Sequence, residues 1–375
     1  MRIEALEARR LSIPFKVAFK HASAERSVMQ SLWVAVRSTD GETGAGEGCP
    51  REYVTSESLD SAQLFVERHR TDWLAAIHDV DSLRHWSGSH SAEIDANPAA
   101  WSAVEIAILD LMGKSTGVPV EYLLDVPAVE GQFRYTAVLG DTPPAVFEAQ
   151  LAHYLRAEFR DFKIKLSGDR NIDHAKTRAL ASMGIAPGSV RADANNLWSN
   201  PRQAVAHLVS LEFPFFAIEE PLQPGDHGGM REIARALGAK IILDESALYV
   251  AHLEPLRNDA QRWIVNLRVS KMGGLVRSIE FVRAARRVGV QLIIGAHVGE
   301  TSVLTRAAIT IANLARDIVV AQEGAFGTHL LEHDVVDPPL MFGPGGILGS
   351  TGLGRPGLGL GPSSIGMHNS AAPLP

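Results

Sequence analysis

Hydrophobic positions along this chain follow two successive rhythms. Over residues 1 to about 130, strand-like stretches come first and helix-like stretches follow. Residues 32–37 (LWVAVR) and the Asp40-Gly41 turn predict an antiparallel meander with hairpin turns. Residues 56–69 and 99–114 (AAWSAVEIAILDLMGK) then recur with helical spacing. Strands first and helices after is an α+β signature. From about Phe133 the rhythm changes to repeating strand-helix units. The predicted strands are 134–139, 162–166, 190–194, 216–219, 240–243, 263–269, 291–294 and 318–321. Most are short apolar runs, as strands buried on both faces of a parallel sheet should be. Helical stretches at 200–211, 229–237 and 276–288 lie between them. Eight strands at this spacing predict an α/β fold of the (β/α) TIM-barrel type. An open doubly wound sheet fits less well, because no Gly-x-Gly-x-x-Gly turn follows an early strand.

The expected layout is an α+β domain over residues 1–130 and a barrel over 131–341. From Phe342 the chain is rich in Gly and Pro. Its first part, 342–360, is expected to fold back on the N-terminal domain, and 361–375 to be a mobile tail.

Composition narrows the function classes. The chain has 375 residues, 46% hydrophobic and 21% charged, with a formal net charge of −7 and no basic block. Neither nucleic acid nor an anionic membrane is suggested as a partner. No stretch approaches the ~20 apolar residues of a membrane span, and the N-terminus lacks a signal-peptide run. Cys49 is the single cysteine. No intrachain disulfide can form, so a reduced, cytoplasmic setting is the simplest expectation. Cys49 sits in a Gly-Glu-Gly-Cys-Pro turn and reads as a buried bystander thiol.

Polar residues recur at the C-terminal ends of the predicted barrel strands, where barrel active sites sit. They are Lys163 and Lys165 in FKIKL, Asp193 in RADANN, Glu219 in IEEP, Asp244 in LDES, Lys271 in RVSKMGG, and Glu300 in GAHVGET. From 193 to 219 is 26 positions, from 219 to 244 is 25, and from 244 to 271 is 27. Each interval is about one strand-helix unit, so these residues fall at equivalent places and converge on one rim. Three carboxylates without a Cys or His cluster suit a hard cation with oxygen ligands, Mg²⁺ ahead of Mn²⁺ or Ca²⁺. Such an ion would keep positions open for water and a substrate carboxylate.

Lys163 and Lys165, two apart on a strand, point to the same side. Burying an ammonium is costly, so the pair implies a task. Each is expected to depress the other's pKa and favour a neutral amine that accepts a proton. Lys271 lies about four strands on, hence on the opposite wall. Amines on two faces of one carbon can invert it, and a metal can stabilise the enediolate formed when a proton α to a carboxylate leaves.

The KIK, DANN, IEEP, LDES and KMGG segments, in this order, resemble the enolase superfamily, specifically its muconate-lactonizing-enzyme subgroup. The GEG at residues 46–48 and the LDLMGK at 109–114 resemble its capping domain, so the resemblance spans nearly all of residues 1–360. It implies Asp193, Glu219 and Asp244 as Mg²⁺ ligands and Lys165 and Lys271 as the acid/base pair, with Lys163 tuning Lys165. Asn195 and Glu245 would support them from behind. It further implies a capping loop at about 15–27, whose Lys20, His21 and Arg26 would face an anionic group of a small-molecule carboxylate. His297, three positions before Glu300, is open to two readings: a substrate-touching acid/base, or a structural histidine. Dipeptide epimerases of the subgroup carry Asp-x-Asp after the eighth strand. Here that segment reads EGAFGTHLLEHDVV, which argues against dipeptides. The implied activity is racemisation or epimerisation of an amino-acid derivative or cyclic amino acid. One-base cycloisomerisation or syn-dehydration is the alternative. A symmetric homo-oligomer is also implied.

Overall fold

The computed structural model describes residues 1–21, 24–324 and 326–361, with the side chains of residues 17–26 outside that set. Among the described residues, no helix is long and apolar enough to cross a membrane.

The N-terminal unit is a three-stranded antiparallel sheet, β1 (Ile3–His21), β2 (Ala24–Ser38) and β3 (Thr43–Gly48), covered by helices. Of the expected loop at 15–27, the described residues 15–21 and 24–27 belong to the paired strands β1 and β2, whose register shifts between Pro14 and Phe19. The helix expected at 56–69 begins at Leu59, because the Ser58 hydroxyl caps it by accepting from the Ser61 N–H, and it runs on to Ala76.

Close packing fixes the third strand. Gly44, Gly46 and Gly48 share one face of β3, and a Cβ at each would lie 2.2, 2.0 and 1.8 Å from the carbonyls of Ala107, Ala103 and Ala99. Glycines two apart thus meet alanines four apart, and the helix Pro98–Thr116 lies directly on the strand. This contact orients Glu47 and Cys49 toward the second unit.

That second unit is an eight-stranded parallel sheet in sequence order. Gln132–Arg134 (β4) precedes it. Its strands are β5 (Ala137–Leu139), β6 (Phe162–Lys165), β7 (Val190–Asp193), β8 (Ala217–Glu219), β9 (Lys240–Leu243), β10 (Trp263–Leu267), β11 (Gln291–Ile294) and β12 (Val319–Gln322). The Thr136 N–H donates to the Gln322 carbonyl at 2.8 Å, linking the two edges into a barrel. Ala217, Ile242, Ile264 and Ile293 pack together in a small separate cluster. Parity puts Ala217 on the same face as Glu219, and Ile264 on that of Asn266.

Two boundaries differ from the expectation. The predicted strand 134–139 is two strands: only β5 joins the barrel, while β4 pairs antiparallel with β13 (Ile347–Gly349). Lys271 lies not at a strand end but in the short helix Val269–Met272 after β10. The returning segment meets the N-terminal unit through Gly357, whose N–H and C=O pair with Val118 and Val120. The expected mobile tail, from residue 362 on, lies outside the described residues.

Candidate active site

Strand register sets the site. Lys165 is the register partner of Asp193, and Asp193 is the partner of Glu219. Three chemically active side chains thus stand shoulder to shoulder on β6, β7 and β8. Asp244 follows β9, and Lys271 follows β10, four strands round from Lys165. Lys163, Lys165, Asp193, Glu219, Asp244 and Lys271 are all buried.

The amine of Lys165 lies 2.8 Å from Asn195 Oδ1 and 3.2 Å from Asp193 Oδ2. Asn195 also donates to Asp193 Oδ1 at 2.5 Å. Lys163 reaches Glu219 Oε2 at 2.6 Å, Glu323 Oε2 at 2.9 Å and Asp193 Oδ2 at 3.4 Å. Its charge corrects the sequence reading. Burial alone would push Lys163 down, but Glu219, Glu323 and Asp193 outweigh it and hold the ammonium well above its ordinary value. Carboxylates, not the neighbouring lysine, decide its protonation.

Across the barrel, Lys271 donates to the Asp244 carbonyl at 2.7 Å, to Asp244 Oδ1 at 2.9 Å and to the Asn266 carbonyl at 2.6 Å. Arg268 pairs with Asp244 Oδ2. Glu220 anchors the turn after β9, accepting from the Asp244 and Ser246 N–H groups at 2.7 and 2.8 Å.

The acids carry opposed shifts. Burial raises every one. For Asp193 the lysines 165 and 163 outweigh it, and for Asp244 so do Arg268 and Lys271, holding both below the ordinary range. For Glu219 burial wins over Lys163 and pushes the carboxyl up to about 8. Glu245 is raised well above its ordinary value by burial and by Asp244 and Glu220 beside it. Its buried Oε2 has no hydrogen-bond partner. A dense set of buried carboxyl oxygens with an unsatisfied one at its edge fits a hard divalent cation. The donor oxygens of Asp193, Glu219 and Asp244 are not gathered within 4.8 Å. Among the described residues, only Cys49, His297 and Glu300 are.

His297 is buried, with its Nδ1 3.2 Å from Glu300 Oε1, which also accepts from the His297 N–H at 2.7 Å. The side chains of Lys20, His21 and Arg26 lie outside the described residues. Sequence reading missed Glu220, Asn266, Arg268 and Glu323. Asn266 had a signal, as a lone amide inside the apolar strand WIVNL, and it donates to Glu219 Oε1 at 3.1 Å. Glu323 had another, at the end of the eighth strand.

The profile of the enolase C-terminal domain-like family matches residues 146–364, more than half of the chain and all of the strands that carry these groups. The chain belongs to that family. This enolase-superfamily enzyme is 28% identical over 288 residues to an L-Lys-D/L-Arg epimerase of Methylococcus capsulatus, covering 76% of this chain and 78% of the relative. It is 28% identical over 371 residues to muconate cycloisomerase 1 of Rhodococcus opacus, covering 96% of each. Among solved structures it is similar to a dipeptide epimerase from Methylococcus capsulatus complexed with Mg and the dipeptide L-Arg-D-Lys. That similarity has a TM-score of 0.82 and 27% identity, over 96% of this chain and 99% of that one.

Proposed function

We propose that this enzyme racemises or epimerises a small carboxylic acid at its α carbon, with an N-acylated or cyclic amino acid as substrate. The carrying observation is the placement of Lys165 on β6 and Lys271 after β10, four strands apart in a sheet of eight. Two amines on opposite walls can address opposite faces of one carbon.

Asp193, Glu219 and Asp244 would hold Mg²⁺. When bound, that ion supplies positive charge opposite the substrate carboxylate as its α proton leaves. In one direction Lys165, as the neutral amine, takes the proton. Asn195 keeps that amine aimed by accepting a hydrogen bond from it. Lys271, as the ammonium, returns a proton from the other face. Its three oxygen contacts hold the amine at one point, so protonation is confined to one side. In the reverse direction the two lysines exchange roles. Lys163 remains charged and offsets the carboxylates around it.

A second reading, cycloisomerisation, is favoured by one relative: muconate cycloisomerase 1 of Rhodococcus opacus spans 96% of both chains. The absence of Asp-x-Asp after β12 argues against a dipeptide substrate under either reading. The deciding experiment incubates the Mg²⁺-loaded enzyme in D₂O with N-acylated, cyclic and dipeptide acids. A racemase incorporates deuterium at the α carbon of both enantiomers, and Lys165→Ala, in a folded protein, abolishes racemisation and the exchange of the enantiomer whose α proton faces Lys165. Exchange on no acid, together with lactone formation from a muconate, would replace this reading by the second.

A further inference from the structure

A group of a different chemical kind meets where the N-terminal sheet rests on the barrel. Cys49 follows β3, while His297 and Glu300 lie in the turn after β11. One ligating atom from each lies within 4.8 Å of the other two. All three residues are buried, at 1%, 1% and 3% exposure. The proton transfer above uses none of them.

The cluster is held from both units. The Cys49 N–H donates to Ser270 Oγ at 2.7 Å, and Ser270 precedes Lys271 in the chain. Glu47, two positions earlier on β3, accepts from the Thr301 hydroxyl at 2.6 Å, fixing the turn that carries Glu300. Glu300 Oε1 in turn faces the His297 ring. A tetrahedral zinc ion with bonds of ~2.0–2.3 Å keeps its ligand atoms roughly 3.4–3.8 Å apart. The present spacing is thus within about an ångström of side-chain adjustment of that geometry. Pro50 and Arg51, next in the chain after Cys49, line a cavity of about 660 Å³ together with Gln30 and Tyr53.

We propose that Cys49, His297 and Glu300 form a second cation site, for a thiophilic divalent ion of the Zn²⁺ class, separate from the all-oxygen set of Asp193, Glu219 and Asp244. Thiolate and imidazole select such ions over Mg²⁺, whereas an all-carboxylate set suits Mg²⁺. On binding, the Cys49 thiol gives its proton to solvent as the sulfur–metal bond forms. His297 ligates as the neutral imidazole and Glu300 as the carboxylate. Because Ser270 links Cys49 to the start of the Lys271 turn, occupancy there is placed to be felt by the catalytic lysine.

Co²⁺ is the optical probe. Chelator-treated full-length enzyme, with Mg²⁺ in excess, is titrated with Co²⁺. The expected result is a thiolate-to-Co²⁺ charge-transfer band that saturates at one equivalent and is bleached by Zn²⁺. The chain has one cysteine, so the band can only report Cys49. Cys49→Ser, folded by circular dichroism, loses the band, and His297→Ala weakens binding at least tenfold. Asp244→Asn keeps the band, so failure of the Mg²⁺ assignment leaves this proposal standing. No band from folded wild-type enzyme, or unchanged affinity in both His297→Ala and Glu300→Ala, overturns it.

Discussion

Lys165 and Asn195 form a fixed pair: the amine lies 2.8 Å from Oδ1, and the amide's other end donates to Asp193 at 2.5 Å. One side chain thereby aims the proposed base and braces a proposed metal ligand. Asn195→Ala should lower α-proton exchange by about 10–100-fold, as loss of an orienting partner does. The loss should fall on kcat more than on KM, with little change in Tm. An unaltered kcat would show that Lys165 is aimed by something else.

The two lysines should fail differently. Lys165→Ala and Lys271→Ala should each lose racemisation by at least ~100-fold. Each should still wash deuterium into the one enantiomer whose α proton faces the remaining lysine. Chiral analysis of single-variant exchange reads this directly. Equal loss of exchange from both enantiomers in either variant would leave a single-base reaction.

Mg²⁺ should stabilise the fold through Asp193, Glu219 and Asp244. An ion at 100 times its Kd adds about 2.7 kcal/mol. Calorimetry should record a rise of several degrees on adding Mg²⁺, absent in Asp244→Asn whatever that variant's starting Tm. A full Mg²⁺ response in Asp244→Asn would remove Asp244 from the ligand set.

What the sequence disclosed follows from periodicity. Asp193 and Glu219 were legible because the unit length of a barrel places them in register, and they are register partners. Lys165 was legible for the same reason. The groups that were missed reach the site by tertiary routes. Glu323 sits beside Lys163 although 160 positions separate them, and no local pattern connects the two. The charge on Lys163 was misread because spacing revealed its nearest lysine but not the carboxylates round its amine. The Cys49 cluster escaped notice because its members come from different units, with nearly 250 residues between Cys49 and His297.

Glu105 predicts a pH dependence that has nothing to do with catalysis. It is buried in the helix Pro98–Thr116 and accepts from the N–H groups of Leu275 and Val276, at the start of the helix after Lys271. Burial pushes its carboxyl from 4.5 up to about 8, against those two donors. Between these values the folded chain holds a proton that the unfolded chain has released. Raising the pH through that window therefore erodes stability, by ~1.4 kcal/mol per unit while the difference lasts. Below about 4.5 the term is constant, since both states are protonated. Glu105→Gln should flatten the slope of denaturation free energy against pH between 5 and 8. An identical slope in the variant would assign the dependence to other carboxyls.

The β3 glycines give a steric prediction with an internal control. A Cβ at Gly46 would sit 2.0 Å from the Ala103 carbonyl oxygen and 2.6 Å from the Ala107 nitrogen. Both are backbone atoms of a helix buried along most of its length, so neither can swing aside. Gly46→Ala must push strand from helix, losing contacts along the whole interface, and should cost about 3 kcal/mol or more. Gly88, inside the helix Val80–Ser89, has nothing within 4 Å of its would-be Cβ. Gly88→Ala removes backbone freedom without a clash and should stabilise by up to ~1 kcal/mol. The displaced strand in Gly46→Ala also carries Glu47, whose carboxylate holds Thr301. Activity should then fall further than the fraction unfolded accounts for, because Cys49, which follows the strand and holds Ser270 beside Lys271, is displaced with it. Denaturant unfolding and kcat measured on the same preparations separate the two effects, and a Gly46→Ala protein as stable as the parent would refute the packing argument.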